Sequence, residues 1–167
     1  MELSISATWW GTCTVNTHKA AAPLPRIQIQ LLRSQVSDVL QSACIKTGVY
    51  QCDISSLRQI EETIASCASI FPPIRGVIQC AMNLHDSTFE NTTAENWQAV
   101  IAPQVQGSWN LHSCLPHDMA FFIMLASFVG ITGNCGQANY AAANAYQDAL
   151  ALHRRARGQA ATSIDLG

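Results

Sequence analysis

Three polar side chains in the last third of the chain have the types and spacing to handle a carbonyl group. Ser127 closes an apolar run, Phe121–Ala126; Tyr140 follows thirteen residues later, and Asn144 four residues after that. A phenol stays protonated near neutral pH, with an ordinary pKa of about 10, and can give its proton to an oxygen that gains charge. A serine hydroxyl can hydrogen-bond the same oxygen and fix it before transfer. Reduction of a ketone asks for such a pair, since hydride goes to carbon and a proton to oxygen. Taken one at a time, the same residues are a strand terminator and two helix polars.

The elements that must position them are legible around them. Phe121–Ala126 is short and aromatic enough for a buried strand. A loop with Gly130, Gly133 and Gly136 follows, then an Ala-rich helix over about Gln137–Arg157 on which Tyr140 and Asn144 share a face. Hydroxyl, phenol and amide are thus expected to face one crevice at the carboxyl edge of a sheet, where open α/β folds bind ligands. Upstream, Leu3–Trp10 can form a strand, Gly11–Ala22 has no clear period, and Pro23 and Pro25 break the chain. Strands are expected at Ile27–Leu32, Val49–Cys52, Gly76–Ala81 and Thr162–Leu166. Helices are expected at Val36–Lys46, at Leu57–Ala68 with Ser55 or Ser56 as cap, and at Ala94–Cys114, interrupted by Pro103. Gly158 ends the Ala-rich helix, after Arg154, Arg155 and Arg157 have complemented its dipole. Strands alternating with helices predict an α/β, doubly wound parallel sheet.

Composition sets the bounds. The 167 residues suffice for one domain with a real core. Charged residues are 12% of the chain, against about 25% in a typical domain, so one face is expected to meet another surface. The net charge of −2 gives no nucleic-acid footprint. Seven scattered cysteines without a C-x-x-C pair, and no basic leader before an apolar run, fit reduced thiols in the cytoplasm. The longest apolar run, Ala120–Ala126, is too short to span a bilayer. His112, Cys114 and His117 match no standard metal spacing, and no metal is expected.

The residues so far sit in strings that resemble a known family. GQANYAAANAYQDALA around Tyr140, CDIS at Cys52–Ser55, PPIRGVIQCAM at Pro72–Met82 and SWNLH at Ser108–His112 are similar to the ketoreductase domain of modular and fungal polyketide synthases. That domain is a branch of the short-chain dehydrogenase/reductase family, with a Rossmann-like fold. The resemblance runs from about Gln51 to Gly167, weakens over 27–50, and is absent before that. It implies an NADPH-dependent reduction of a β-keto acyl thioester held on an acyl carrier protein, with other synthase segments as neighbours. Tyr140 would donate the proton, Ser127 would hold the carbonyl, and Asn144 would organise the site. Arg33 and Ser34 would meet the 2′-phosphate of the cofactor, Cys52 and Asp53 would lie along its adenine, and Ala81 with Met82 would approach its ribose. A free small alcohol is disfavoured as substrate, because related enzymes for such alcohols carry Tyr-x-x-x-Lys and this chain has Asn144.

Two departures predict an impaired site. The family's lysine, in a P-K-V-x-G string, is replaced in Pro103-Gln104-Val105-Gln106-Gly107 by the uncharged Gln104, at an expected cost of about 10²–10⁴ in rate. No Gly-rich pyrophosphate turn occurs in residues 1–50, where only Gly11 and Gly48 are found. Residues 1–25 are therefore expected to be an atypical N-terminal segment and 26–167 a partial ketoreductase domain, incomplete at both ends. Unless Leu3–Trp10 supplies the central strand, the sheet is expected to have a gap. A catalytically inactive pseudo-reductase with a structural or interaction role is the alternative.

Overall fold

The computed structural model describes residues 3–8, 48 and 50–167. Four parallel strands, β1 (Leu3–Thr8), β2 (Ile74–Cys80), β3 (Phe121–Ser127) and β4 (Thr162–Leu166), lie side by side in chain order. Leu3–Thr8 takes the place beside β2, with Ser4 opposite Gly76 and Thr8 opposite Cys80, so these four strands have no gap between them. Gly76–Gln79 pairs with Phe121–Met124, and Ile123–Ser127 with Thr162–Leu166. Since all run the same way, their carboxyl ends share one edge, occupied by Cys80, Ser127 and Leu166.

The helices are α1 (Leu57–Ala68), α2 (Ala94–Ile101), α3 (Gly107–Cys114), the single turn α4 (Val129–Thr132) and α5 (Ala138–Ala156). Thr93 caps α2 by accepting from Asn96 N–H at 3.1 Å. The core is apolar and continuous, with Ile54, Ile60, Val77, Leu111, Phe122, Met124 and Leu150 all buried. The alternation along β3 fits this, since Phe122, Met124 and Ala126 are buried and their neighbours are half-buried.

Pro103 interrupts the long α-helix, as expected: it is the second residue of a five-residue π turn, Ala102–Gln106, that joins α2 to α3. Proline has no N–H to give the carbonyl four residues back. The carbonyl of Ala99 accepts from Asn83 Nδ2 at 3.2 Å instead, and that of Pro103 accepts from Gln79 Nε2 at 2.8 Å. The Asn83 side chain, from the loop beyond β2, thus satisfies the carbonyl that the proline leaves open, Gln79 of β2 holds the turn from beside it, and Gln104 sits at the centre of the turn.

Of the expected strand at Val49–Cys52, Val49 lies outside the described residues, Tyr50 is a bridge residue, and Gln51 and Cys52 are irregular. Downstream of it, Asp53 Oδ1 accepts from Ser55 N at 2.9 Å and from Ser55 Oγ at 2.7 Å, while Ser56 N–H reaches the Asp53 carbonyl at 3.0 Å. These bonds turn the chain into α1 and end the extended run. Ser56 is the N-cap by position, but its side chain makes no capping bond. The strand Ile27–Leu32 and helix Val36–Lys46 lie outside the described residues, as do Arg33 and Ser34.

The basic run at the end of α5 also differs from expectation. Arg154 is fully buried, with its guanidinium 3.9 Å above the Phe122 ring. Its Nε donates to the Ala160 carbonyl at 3.2 Å and its Nη1 to His112 Nδ1 at 2.7 Å. Arg154 therefore fastens the end of α5 to α3 and to the chain leading into β4.

Candidate functional site

The site is built by two loops that leave the carboxyl ends of β2 and β3 and meet over the start of α5. The first carries Ala81, Met82, His85 and Asp86. Asn139 Nδ2 donates to the His85 carbonyl at 3.3 Å, Gln137 Nε2 to both Asp86 oxygens at 3.1 Å, and Ser87 N–H to the Gly136 carbonyl at 2.9 Å. Gly136 holds φ +77°, a left-handed turn that suits a residue without Cβ. The second loop begins at Ser127, whose Oγ accepts from Val129 N–H at 3.3 Å as α4 starts.

Tyr140 projects from the first turn of α5 and is half-buried. Its hydroxyl donates to Met82 Sδ at 3.8 Å, a weak and long bond, so the phenol is not committed to a strong acceptor. Asn144 does not face the crevice. It is fully buried, and its Nδ2 donates to the Tyr140 carbonyl at 2.7 Å, bracing the turn that carries the phenol. Gln104, 1% exposed, donates from Nε2 to Asn144 Oδ1 at 3.0 Å. Gln104, Asn144 and the Tyr140 backbone are therefore one connected unit.

α4 and α5 approach closely at Gly130. A Cβ there would stand 2.9 Å from Asn144 Cβ and 3.1 Å from the Ala145 backbone nitrogen. Backbone cannot step aside as a side-chain tip can, so Gly130→Ala is expected to cost about 1–3 kcal/mol. That corresponds to a fall in melting temperature of about 2–10 °C. A melt within 1 °C of the parent protein, by the same approximate scale, would mean the two segments slide apart freely.

The remaining expected cofactor residues are less open. Cys52 is buried, and burial raises its thiol pKa, with Thr63 opposing and Asp53 adding to the rise. It lines a recess of about 400 Å³ with Gln59 and Thr63, and none of Ser127, Tyr140 or Met82 borders that recess. Asp53 has its carboxylate tied to Ser55. Ala81 is buried and gives its N–H to Gln79 Oε1 at 2.5 Å. No group of three or more metal-ligating side chains occurs among the described residues, and no helix there is long and apolar enough to cross a membrane.

Three residues escaped the sequence reading. Gln147 and Ser108 are fully buried and joined by a 3.3 Å bond from Gln147 Nε2 to Ser108 Oγ; Gln79 is buried beneath them on β2. The signal was the spacing: Gln147 lies seven residues after Tyr140, on the face that Asn144 shares, and Ser108 four after Gln104.

Comparison with known proteins shows the family and the fold. A family model described as KR domain matches residues 25–167. The chain is 51% identical over 130 residues to the highly reducing polyketide synthase poxF of Penicillium oxalicum, covering 78% of this chain and 5% of the synthase. It is 50% identical over 129 residues to the lovastatin diketide synthase lovF of Aspergillus terreus, covering 77% and 5%. Among solved structures, the ketoreductase PlmKR1 from the first module of phoslactomycin biosynthesis in Streptomyces sp. HK803 superposes with a TM-score of 0.75 at 31% identity, over 80% of this chain and 31% of that one. The first ketoreductase of the tylosin PKS gives a TM-score of 0.72 at 28% identity, over 80% and 29%. The chain thus spans a small fraction, 5%, of the synthases it matches. The sheet is that of the Rossmann-like short-chain reductases, present in part.

Proposed function

Because the chain belongs to the KR-domain family, we propose that it is a ketoreductase unit of a highly reducing polyketide synthase, reducing a β-keto acyl thioester carried by an acyl carrier protein. The observation that carries this reading is the Tyr140 phenol, half-buried at the carboxyl edge of the sheet and bound, among the described residues, to Met82 Sδ alone, on a turn braced by Asn144. Such a phenol can deliver a proton to a ketone oxygen that gains charge, and Ser127, at the end of β3, can hold the same oxygen. Asn144 and Gln104 act from below, by keeping the Tyr140 turn in place. In the cytoplasm, other synthase segments would lie against residues 26–167.

NADPH is the expected hydride source. The described residues fit its reacting end better than its adenosine end. Met82, Ser127 and Tyr140 border the strand ends with little commitment to one another, whereas the Asp53 carboxylate is already occupied by Ser55. Arg33 and Ser34 remain the residues proposed for the 2′-phosphate, Cys52 and Asp53 those proposed beside the adenine, and Ala81 and Met82 those beside the ribose. When bound, the cofactor would supply hydride to the carbonyl carbon; every other requirement falls on the protein.

A pseudo-reductase is the second reading, and Gln104 favours it. An uncharged amide stands where the family carries its lysine, and it is tied into a neutral network with Asn144 and Gln147. Thermal melts with and without excess NADPH separate the two, because a ligand of the folded state raises the melting temperature by mass action. A rise of several degrees, with oxidation of NADPH in the presence of a β-keto acyl thioester, is expected for the reductase. A cooperative melt that ignores NADPH assigns the chain the scaffold role.

A further inference from the structure

The polar side chains buried beneath Tyr140 form a chain with a fixed direction. The Tyr140 carbonyl can only accept, so Asn144 must turn Nδ2 toward it, at 2.7 Å. Oδ1 of Asn144 then faces Gln104 and accepts one N–H from Nε2 at 3.0 Å. The second hydrogen of that nitrogen goes to Gln147 Oε1 at 3.2 Å. Gln147 Nε2 is left to donate to Ser108 Oγ at 3.3 Å, and Gln79 Nε2 approaches the same hydroxyl at 3.4 Å. Gln79 is itself set by backbone, accepting from Ala81 N–H and donating to the Pro103 carbonyl. Both ends of the chain are backbone groups, so no amide in it can be reversed without stranding a donor against a donor or an acceptor against an acceptor.

Within this chain Gln104 is held from one side alone. Both of its partners are acceptors, and its own Oε1 is buried without a partner among the described residues. An amide with a stranded oxygen gains by rotating unless both of its N–H groups are anchored. Asn144 anchors one of them and Gln147 the other.

We infer that Gln147 is a positioning residue, holding the Gln104 amide against Asn144 and thereby fixing the amide that braces the Tyr140 turn. The catalytic consequence rests on the ketoreductase reading; the positioning itself does not require it.

Hydrogen exchange of side-chain amides in the ¹⁵N-labelled full chain tests this without cofactor or ketone. The Gln104 amide is expected to exchange at least about tenfold more slowly than that of exposed Gln98. Gln147→Leu keeps the bulk and removes the acceptor. It is expected to erase most of that protection while backbone amides of β3 keep theirs. Gln147→Glu, which still turns an oxygen to Gln104, is expected to restore it. Unchanged protection of Gln104 in Gln147→Leu, or none in the parent protein, overturns the inference. Should Gln147→Leu fail to fold, Ser108→Ala frees the far end of Gln147 and is expected to lower Gln104 protection about threefold or more; no change there overturns the inference equally. A chain that shows this pattern yet oxidises no NADPH separates failure of the reductase reading from failure of this one.

Discussion

Tyr140→Phe is expected to lower NADPH-dependent reduction of a β-keto acyl thioester by about 10²–10⁴, the contribution of a positioned general acid. Stability is expected to stay within about 0.5 kcal/mol of the parent protein. The separation of the two effects follows from the geometry. The hydroxyl makes one weak bond, to Met82 Sδ at 3.8 Å, and what holds the turn in place is the bond from Asn144 to the Tyr140 backbone, which phenylalanine retains. Steady-state kinetics and melts on the same preparations check it. Equal loss of activity and stability would make Tyr140 a packing residue, and an unchanged rate would move the proton donor elsewhere. Asn144 provides the contrast: it is fully buried and bonded on both sides, so removing it is expected to reduce both quantities together.

How much of this was legible depends on whether a residue's environment follows from its neighbours in sequence. Leu57–Ala68, Phe121–Ser127 and Thr162–Leu166 stand where their patterns put them, because burial on one face imposes a period that composition reveals. Of the strand expected at Val49–Cys52, the described residues Gln51 and Cys52 form no extended ladder, and just beyond them one carboxylate captures the backbone and hydroxyl of Ser55, a local competition that hydropathy does not register. Pro103 was expected to break a helix. An asparagine side chain from another element satisfies the carbonyl of Ala99 that it frees, a glutamine satisfies the carbonyl of Pro103 itself, and the break takes the form of a π turn. The site shows the same division. Ser127 ends β3 and Tyr140 lies in the first turn of α5, but Asn144 is an interior brace. Gln147, Ser108 and Gln79 were passed over because a buried polar residue looks, in sequence, like an exposed one. Its partners come from tens of residues away, and those pairings are fixed only when β2, the π turn and α5 pack together.

Arg154 was misread for the same reason, and its burial leads to the second large effect. His112 must accept from Arg154 Nη1 through Nδ1, at 2.7 Å, so its ring is neutral with the proton on Nε2. The rings of His153 and His117 lie with centroids 5.9 Å and 6.3 Å from its own, Arg157 bonds His153, and no carboxylate pairs with Arg154 among the described residues. Burial first, then the charge of Arg154, and then His153, His117 and Arg157 hold the His112 pKa below its ordinary value of 6.5. The folded state therefore binds this proton less readily than the unfolded chain. Stability is fully present above pH 6.5 and declines as pH falls below it, by at most about 1.4 kcal/mol per pH unit for one group, until the folded-state pKa is reached. Asp118, held low by its bond to Arg75, loses its contribution only in stronger acid, and Asp165, raised by burial and by Asp148, shifts stability in the opposite sense. Urea unfolding between pH 7.5 and about 5 is expected to show this decline in the parent protein. It is expected to be largely absent in His112→Gln, whose amide oxygen can still accept from Arg154 but does not titrate. An equal slope in both proteins would assign the acid sensitivity to other groups. Protonation at His112 sets a second cation against a buried guanidinium whose Nη2 already lacks a partner, so the link between α3 and the end of α5 is expected to open before β3 does.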